Sequence, residues 1–556
     1  MFELPPAPRM TGAVLRSIVA AASAEPVRRG LATFMRKDLG IDAARALSGE
    51  REEIPLHCRP LLAREPRERE SQELELPATS AVLPGARGWQ DRYRDGSTTP
   101  VEVTERAFAE ARRLENATPT MACLCTPDVQ GATRDAEASA ERWARGEPLG
   151  PLDGVAVPVK EEVDMEGIGY RLGTRFVPPN DAAHDSTVVR RLRDAGAIIL
   201  GHTPMTEMGM SPLGGNIHRT MPRNAHAADR LPGGSSTGSA VAVASGLAPV
   251  ALGTDGGGSV RIPASLNGLF GIKPTFGRIS RYGDGFGGTV DHLGPIGASA
   301  HDLAVFLEAV SGPDPEDWLT HGTPPVARGE LVGALGRGVR GLRVGVLRDE
   351  MQDASPDVQR ECEQALRALE EDGAEIVDVH LPLARHASGI GYLTIGLEVF
   401  ASLLPARREH WSELGPDLQL LCRLLSTFNS DDYLDGQALR QRLRVTTADL
   451  LREVDVLALP TTAKVAATVT DHDMAQGFAD TPALHAVCRY AFLGNLTGLP
   501  CGTAPVGSGE AGLPVGLQIV GDAFDEACVL AVLAQLERSG AAAVRAPRIP
   551  VSPLGR

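Results

Sequence analysis

Residues 231–265 read LPGGSSTGSAVAVASGLAPVALGTDGGGSVRIPAS, two serine clusters set in glycine. Between them lie a small-residue helix pattern over 239–246 and an apolar strand pattern that ends at Asp255. Glycine lacks a Cβ, so both ends of this unit leave backbone amides uncovered and free to take positive φ. The stretch demands a compact helix–strand pair with a bare loop at each end. It also asks which third group would make the hydroxyls reactive.

The same alternation runs along the chain. Helix patterns at 99–115 and 128–146 lead into GVAVPVK, 154–160, whose alternation suits a strand ending at Lys160. A helix pattern at 186–195 precedes the strand-like AIILG at 197–201. GLRVGVLRD is followed by a helix with Ser355 as N-cap and Pro356 at its first position, whose apolar stripe is Val358, Cys362, Ala365, Leu366 and Leu369. AEIVDVHLP, VDVLALP and VGLQIVG read as further strands, and a last helix runs from Asp525 to about Ser539. This is an α/β layout with a buried sheet.

Composition narrows the function classes. A formal net charge of -16 opposes binding of a polyanion, so nucleic acid is not an expected partner. The N-terminus carries an early Glu and a Pro-rich start instead of a basic leader, and the longest apolar run, 240–252, is interrupted and too short to span a bilayer. A cytoplasmic protein with no membrane partner is expected, and the eight cysteines read as mostly buried reduced thiols. Residues 12–50 read as one or two amphipathic helices, and REPRERESQELE, 64–75, as a solvated linker or exposed helix.

Two motifs are decoys. Gly234-Ser235-Ser236-Thr237-Gly238 fits the nucleophile elbow G-x-S-x-G, but a strand should run into that serine and the upstream NAHAADRLP is polar and proline-broken. Gly283 to Gly288 fits G-x-G-x-x-G, yet no strand precedes it and no helix follows, so it reads as a loop. The histidines form no H-E-x-x-H or i, i+4 pair, so neither a metal nor another cofactor is expected.

TDGGGS, 254–259, ends a strand and presents consecutive N–H groups beside a serine. Such amides can stabilise the oxyanion formed when Ser259 attacks an acyl carbon, although a tight turn with a capping serine would look the same. The serine needs a base, and Lys160 at its strand end is the candidate. A lysine taken out of water there has its charged form disfavoured and can accept a proton. Ser235, flanked by glycines, could pass that proton between them.

Together GPLDGVAVPVK, PGGSSTGSA and GTDGGGSVRIPASLNGLFGIKPTFGRIS resemble the amidase signature family, and further similar blocks extend over roughly 89–540. The resemblance implies an α/β fold with a large mixed β-sheet core covered on both faces by α-helices. It implies Ser259 as nucleophile, Ser235 as a relay serine across a cis peptide bond, and Lys160 as general base and later acid. Gly256, Gly257 and Gly258 would supply the oxyanion hole, with Asp255 bracing the loop and Arg261 a structural donor. The expected reaction is hydrolysis of a carboxylic amide through an acyl-enzyme, giving a carboxylate and ammonia or an amine. The glutaminase subunit of a tRNA-dependent amidotransferase, and a carbamate or ester hydrolase, stay open as alternatives. Glu161 stands where the family usually has aspartate, and Thr237, His202 and Ala225 also depart from its pattern. Met205, Met210, Tyr392 and Phe400 are expected to line a pocket for a non-polar part of a small-molecule amide. The expected organisation is an N-terminal helical extension and charged linker over 1–75, a catalytic domain over 76–545 and a tail over 546–556, with a homodimer left open.

Overall fold

The computed structural model describes residues 9–47, 59–63, 72–177 and 182–555. Most of the charged 64–75 segment lies outside the described residues. Among those described, eleven strands form one mixed sheet. Across it they run Thr126–Pro127, Ile198–Thr203, Ala156–Lys160, Val250–Thr254, Leu293–Gly297 and Phe270–Lys273, then Cys501–Ser508, Pro514–Gly521, Val456–Pro460, Arg343–Leu347 and Glu375–Val379. Ala156–Lys160 is parallel to both of its neighbours, and Arg343–Leu347 is parallel to both of its own. Between these parallel flanks, every pairing from Val250–Thr254 to Val456–Pro460 is antiparallel. Helices cover both faces, so the central strands are buried along their whole length, as their continuous apolar runs require.

Local sequence accounts for the elements that matter most. Helix Pro356–Glu371 buries Val358, Cys362, Ala365, Leu366 and Leu369, the stripe expected from a 3.6-residue period. Helix Pro100–Glu115 starts at Thr99, whose side chain and that of Glu102 satisfy each other's backbone N–H. Helix Thr237–Ser245 is buried on every side. Its small residues permit that depth: a Cβ on Gly238 would fall 2.7 Å from the Pro204 nitrogen, and one on Gly253 in the facing strand 2.8 Å from Ser236 Oγ. Strands Leu293–Gly297 and Cys501–Ser508 carry so much Gly and Pro that their sequences read as turns; sheet neighbours on both sides make them strands.

The described part of the N-terminal segment folds as three helices, Gly12–Ala21, Glu25–Asp38 and Ile41–Arg45. They pack on helices Ala387–Ser402 and Pro416–Leu425, and Met10–Thr11 pairs antiparallel with Phe478–Ala479. Arg9 ties the segment's start to Asp473 and Asp480. The C-terminal tail is pinned by backbone bonds from Arg548 to Ala225 and from Val551 to Ser245. No disulfide joins two of the seven described cysteines. No described helix is long and apolar enough to cross a membrane.

Candidate active site

Lys160 stands where its strand leaves the sheet, and its side chain is fully buried. Its Nζ lies 2.8 Å from Ser235 Oγ and also contacts Thr254 Oγ1 on the neighbouring strand. Ser235 is held in the loop before helix Thr237–Ser245, after a cis peptide bond from Gly234. The two groups are close enough for a proton to pass between them. Ser236, the decoy nucleophile, is fully buried and spent on structure: its Oγ donates to the Thr254 carbonyl at 3.1 Å and accepts from the Thr254 N–H at 3.2 Å.

Residues 255–259 form the bare loop after Val250–Thr254. Asp255 holds it from inside, accepting from the N–H groups of Gly258 at 2.7 Å and Val260 at 3.2 Å. Arg261 grips the same carboxylate through Nε at 3.0 Å and Nη2 at 2.8 Å, and also bonds Asn495, Gln518 and the Ala491 carbonyl. It is a structural donor. Burial alone would push the Asp255 carboxyl upward, but Arg261 and Asn495 outweigh it and hold the group far below the usual carboxylate range. One grouping made from the sequence changes here. The Gly258 N–H is committed to Asp255, so it braces the loop and does not join the oxyanion donors. No described residue accepts from the N–H groups of Gly256, Gly257 or Ser259.

Ser259 and Gly257 open into a cavity of about 240 Å³. Its walls are apolar and come from three places: Ile18, Leu31, Phe34 and Met35 of the N-terminal helices, Tyr392 and Ile395, and Leu420 and Leu424. Met210 and Tyr392 line it as expected from sequence. Met205 and Phe400 do not. Met205 is fully buried, with its N–H given to Glu161, whereas Phe400 lies under the Arg407 guanidinium at 3.5 Å, farther along the helix that carries Tyr392. The sequence leaves open whether the N-terminal segment caps the active site, mediates dimerisation or only packs on the sheet, because an amphipathic helix does not name what its apolar face covers. Polar groups interrupt the lining at Glu207, Asp417, Asp480 and Thr481; burial, with Glu207 beside it, pushes the Asp417 carboxyl up to about 7.

Behind Lys160 sit three carboxylates that sequence reading did not single out. Glu162 Oε2 is 2.6 Å from Lys160 Nζ, and one oxygen each of Glu162, Asp284 and Asp291 lies within 4.8 Å of the others. This is the described group able to surround a small cation. Asp284 belongs to the glycine loop set aside as a nucleotide decoy; that loop instead carries a carboxylate to the base of the site. Glu161 turns away, into a pair with Arg219 at 2.7 Å.

The sequence model of the Amidase family matches residues 103–530. The chain is 34% identical over 457 residues to a fatty acid amide hydrolase of Oryza sativa subsp. indica, spanning 81% of this chain and 75% of that protein. It is 34% identical over 466 residues to a glutamyl-tRNA(Gln) amidotransferase subunit of Chloroflexus aurantiacus, spanning 79% and 92%. Its fold is similar to that of a peptide amidase from Stenotrophomonas maltophilia, with a TM-score of 0.71 and 27% identity over 84% of this chain and 99% of that one.

Proposed function

The chain belongs to the amidase signature family, whose members cleave amide C–N bonds, and from that premise we propose that it is a serine amidase acting on linear amides with a long non-polar acyl or amine part. The observation that carries the proposal is the joining of two features at one serine. Lys160 and Ser235 stand in hydrogen-bond contact beside the 255–259 loop, and Ser259 on that loop opens into an apolar cavity.

In the proposed cycle Lys160, acting as the base, takes a proton from Ser235 as Ser235 takes one from Ser259, and Ser259 Oγ bonds to the acyl carbon. The N–H groups of Gly256, Gly257 and Ser259 stabilise the oxyanion. The C–N bond then breaks, and the amine leaves with the proton returned along the same path. Water repeats the sequence and releases the carboxylate. The likeness to a fatty acid amide hydrolase supports a long acyl group.

The likeness to an amidotransferase component supports a second reading, a glutaminase that feeds ammonia to partner chains. An apolar cavity at the serine favours the first. A substrate panel divides them: N-acyl amides of increasing chain length, glutamine, and p-nitrophenyl esters and carbamates. Turnover of long-chain amides with glutamine inert is the expected outcome. Ammonia released only from glutamine would overturn the proposal.

A further inference from the structure

A buried ammonium is disfavoured unless an anion stands beside it, and for fully buried Lys160 that anion is Glu162. Thr254 Oγ1 donates to the same Glu162 oxygen at 2.8 Å and touches Lys160 Nζ, which fixes both groups against the strand. Glu162 does not stand alone. Asp284 and Asp291 complete the cluster, and Asp284 Oδ2 and Asp291 Oδ2 are buried without a hydrogen-bond partner while both groups are ionised. Arg281, the cation on their own loop, donates to the carbonyls of Gly288 and Asp291 rather than to their carboxylates. Glu161 is paired with Arg219, and Asp255 with Arg261. Lys160 is therefore the cation in contact with Glu162, while Arg281 lowers Asp284 and Asp291 through space without bonding their carboxylates.

Three carboxylates this close cannot all stay ionised out of water, so the cluster holds a proton. Burial and mutual repulsion push Asp284 and Asp291 upward, Asp291 to about 6. The proton is accordingly placed between these two, away from the Glu162 oxygen that Lys160 Nζ contacts.

We infer that Glu162 is a positioning residue for Lys160, acting on the lysine as the buried carboxylate of a Ser-His-Asp triad acts on its histidine, with Asp284 and Asp291 sharing one proton behind it. The inference rests on the Ser259–Ser235–Lys160 reading above. When Ser259 Oγ bonds to the acyl carbon and its proton arrives at Lys160 through Ser235, the ammonium forms 2.6 Å from a carboxylate that neither gains nor loses a proton. When the C–N bond breaks, the proton leaves Lys160 by the same path for the amine. Glu162 holds Nζ on Ser235 and stabilises the ammonium formed when the proton arrives.

The test is the pH dependence of kcat and KM for Glu162→Gln, Glu162→Asp, Asp284→Asn and Lys160→Ala, each checked for folding by thermal melt. A lysine without an adjacent carboxylate releases its proton more readily, so in Glu162→Gln the low-pH limb of kcat/KM moves to lower pH by about one unit or more. The plateau kcat falls by about tenfold or more, as for a weakened base, and KM barely changes. Glu162→Asp keeps the charge and leaves the limb in place at a reduced kcat. Asp284→Asn puts an amide N–H where the shared proton stood, so its limb stays in place whatever its kcat; a limb displaced as far as in Glu162→Gln overturns the shared proton. If Lys160→Ala remains active, the triad reading and the inference fall together. If Lys160→Ala is inactive while folded Glu162→Gln matches wild type in kcat and limb position, the inference alone is overturned. Activation of EDTA-stripped protein by Mg²⁺ or Ca²⁺, lost in Asp291→Asn, would make the cluster a cation site and overturn it as well.

Discussion

The apolar wall predicts a ladder of rates. Each methylene moved from water onto such a surface contributes about 0.8 kcal/mol, which at RT of about 0.59 kcal/mol is roughly fourfold. The cavity at Ser259 is lined on several sides by Leu, Ile, Met and Phe, so successive methylenes of a straight acyl chain meet the same kind of surface. In a series of primary acyl amides, kcat/KM should therefore climb about fourfold per carbon until the cavity is full. The gain should fall mainly in KM, because the chain contacts the wall equally in ground state and transition state. Met35→Asp places a carboxylate in the wall supplied by the N-terminal helices and should flatten the slope for long chains while sparing the shortest amides. The assay is ammonia release under matched conditions for both proteins. A slope near zero in wild type, or short charged amides turning over best, refutes the reasoning. An unchanged slope in folded Met35→Asp refutes the role given to the N-terminal helices.

Three further outcomes are expected. Arg261→Met leaves the Asp255 carboxylate buried without its main partner, which should cost about 3–5 kcal/mol in denaturant unfolding; a loss below about 1 kcal/mol would contradict the bracing described. Asp417 is neutral below its raised value of about 7 and charged above it, so KM for a long neutral amide should rise as pH passes through 7. That rise should vanish in Asp417→Asn, and a rise that persists there assigns it elsewhere. Ser236→Ala removes two hydrogen bonds to the Thr254 backbone and should destabilise by about 1–3 kcal/mol while the protein still forms an acyl-enzyme.

Much of the scaffold is legible in the chain because its signals are local. The strand ending at Lys160 and the stripe of helix Pro356–Glu371 need only period and punctuation. Ser235 and Ser259 are legible through the glycines around them, since bare backbone beside a hydroxyl is rare enough to draw notice. What stayed hidden depends on distant partners. Glu162 and Asp291 are 129 residues apart in sequence, and only the sheet brings them together. Leu31 and Met35 show an apolar face without showing that it covers Ser259. The commitment of the Gly258 N–H to Asp255 follows from a loop conformation, with φ of 113° at Gly258, that no spacing rule specifies. Met205 and Phe400 have the apolar character that a wall residue and a neighbour of the wall share, so sequence does not separate the two.

The central claim is that Ser259 is the nucleophile and that Lys160 activates it. Its most direct test is a fluorophosphonate probe on the purified protein, with the adduct located by mass spectrometry after digestion and the Lys160→Ala variant treated alongside. The account predicts an adduct on Ser259 in wild type and its loss or severe slowing in the variant. An adduct on Ser236, or equal labelling of Ser259 with and without Lys160, would contradict it.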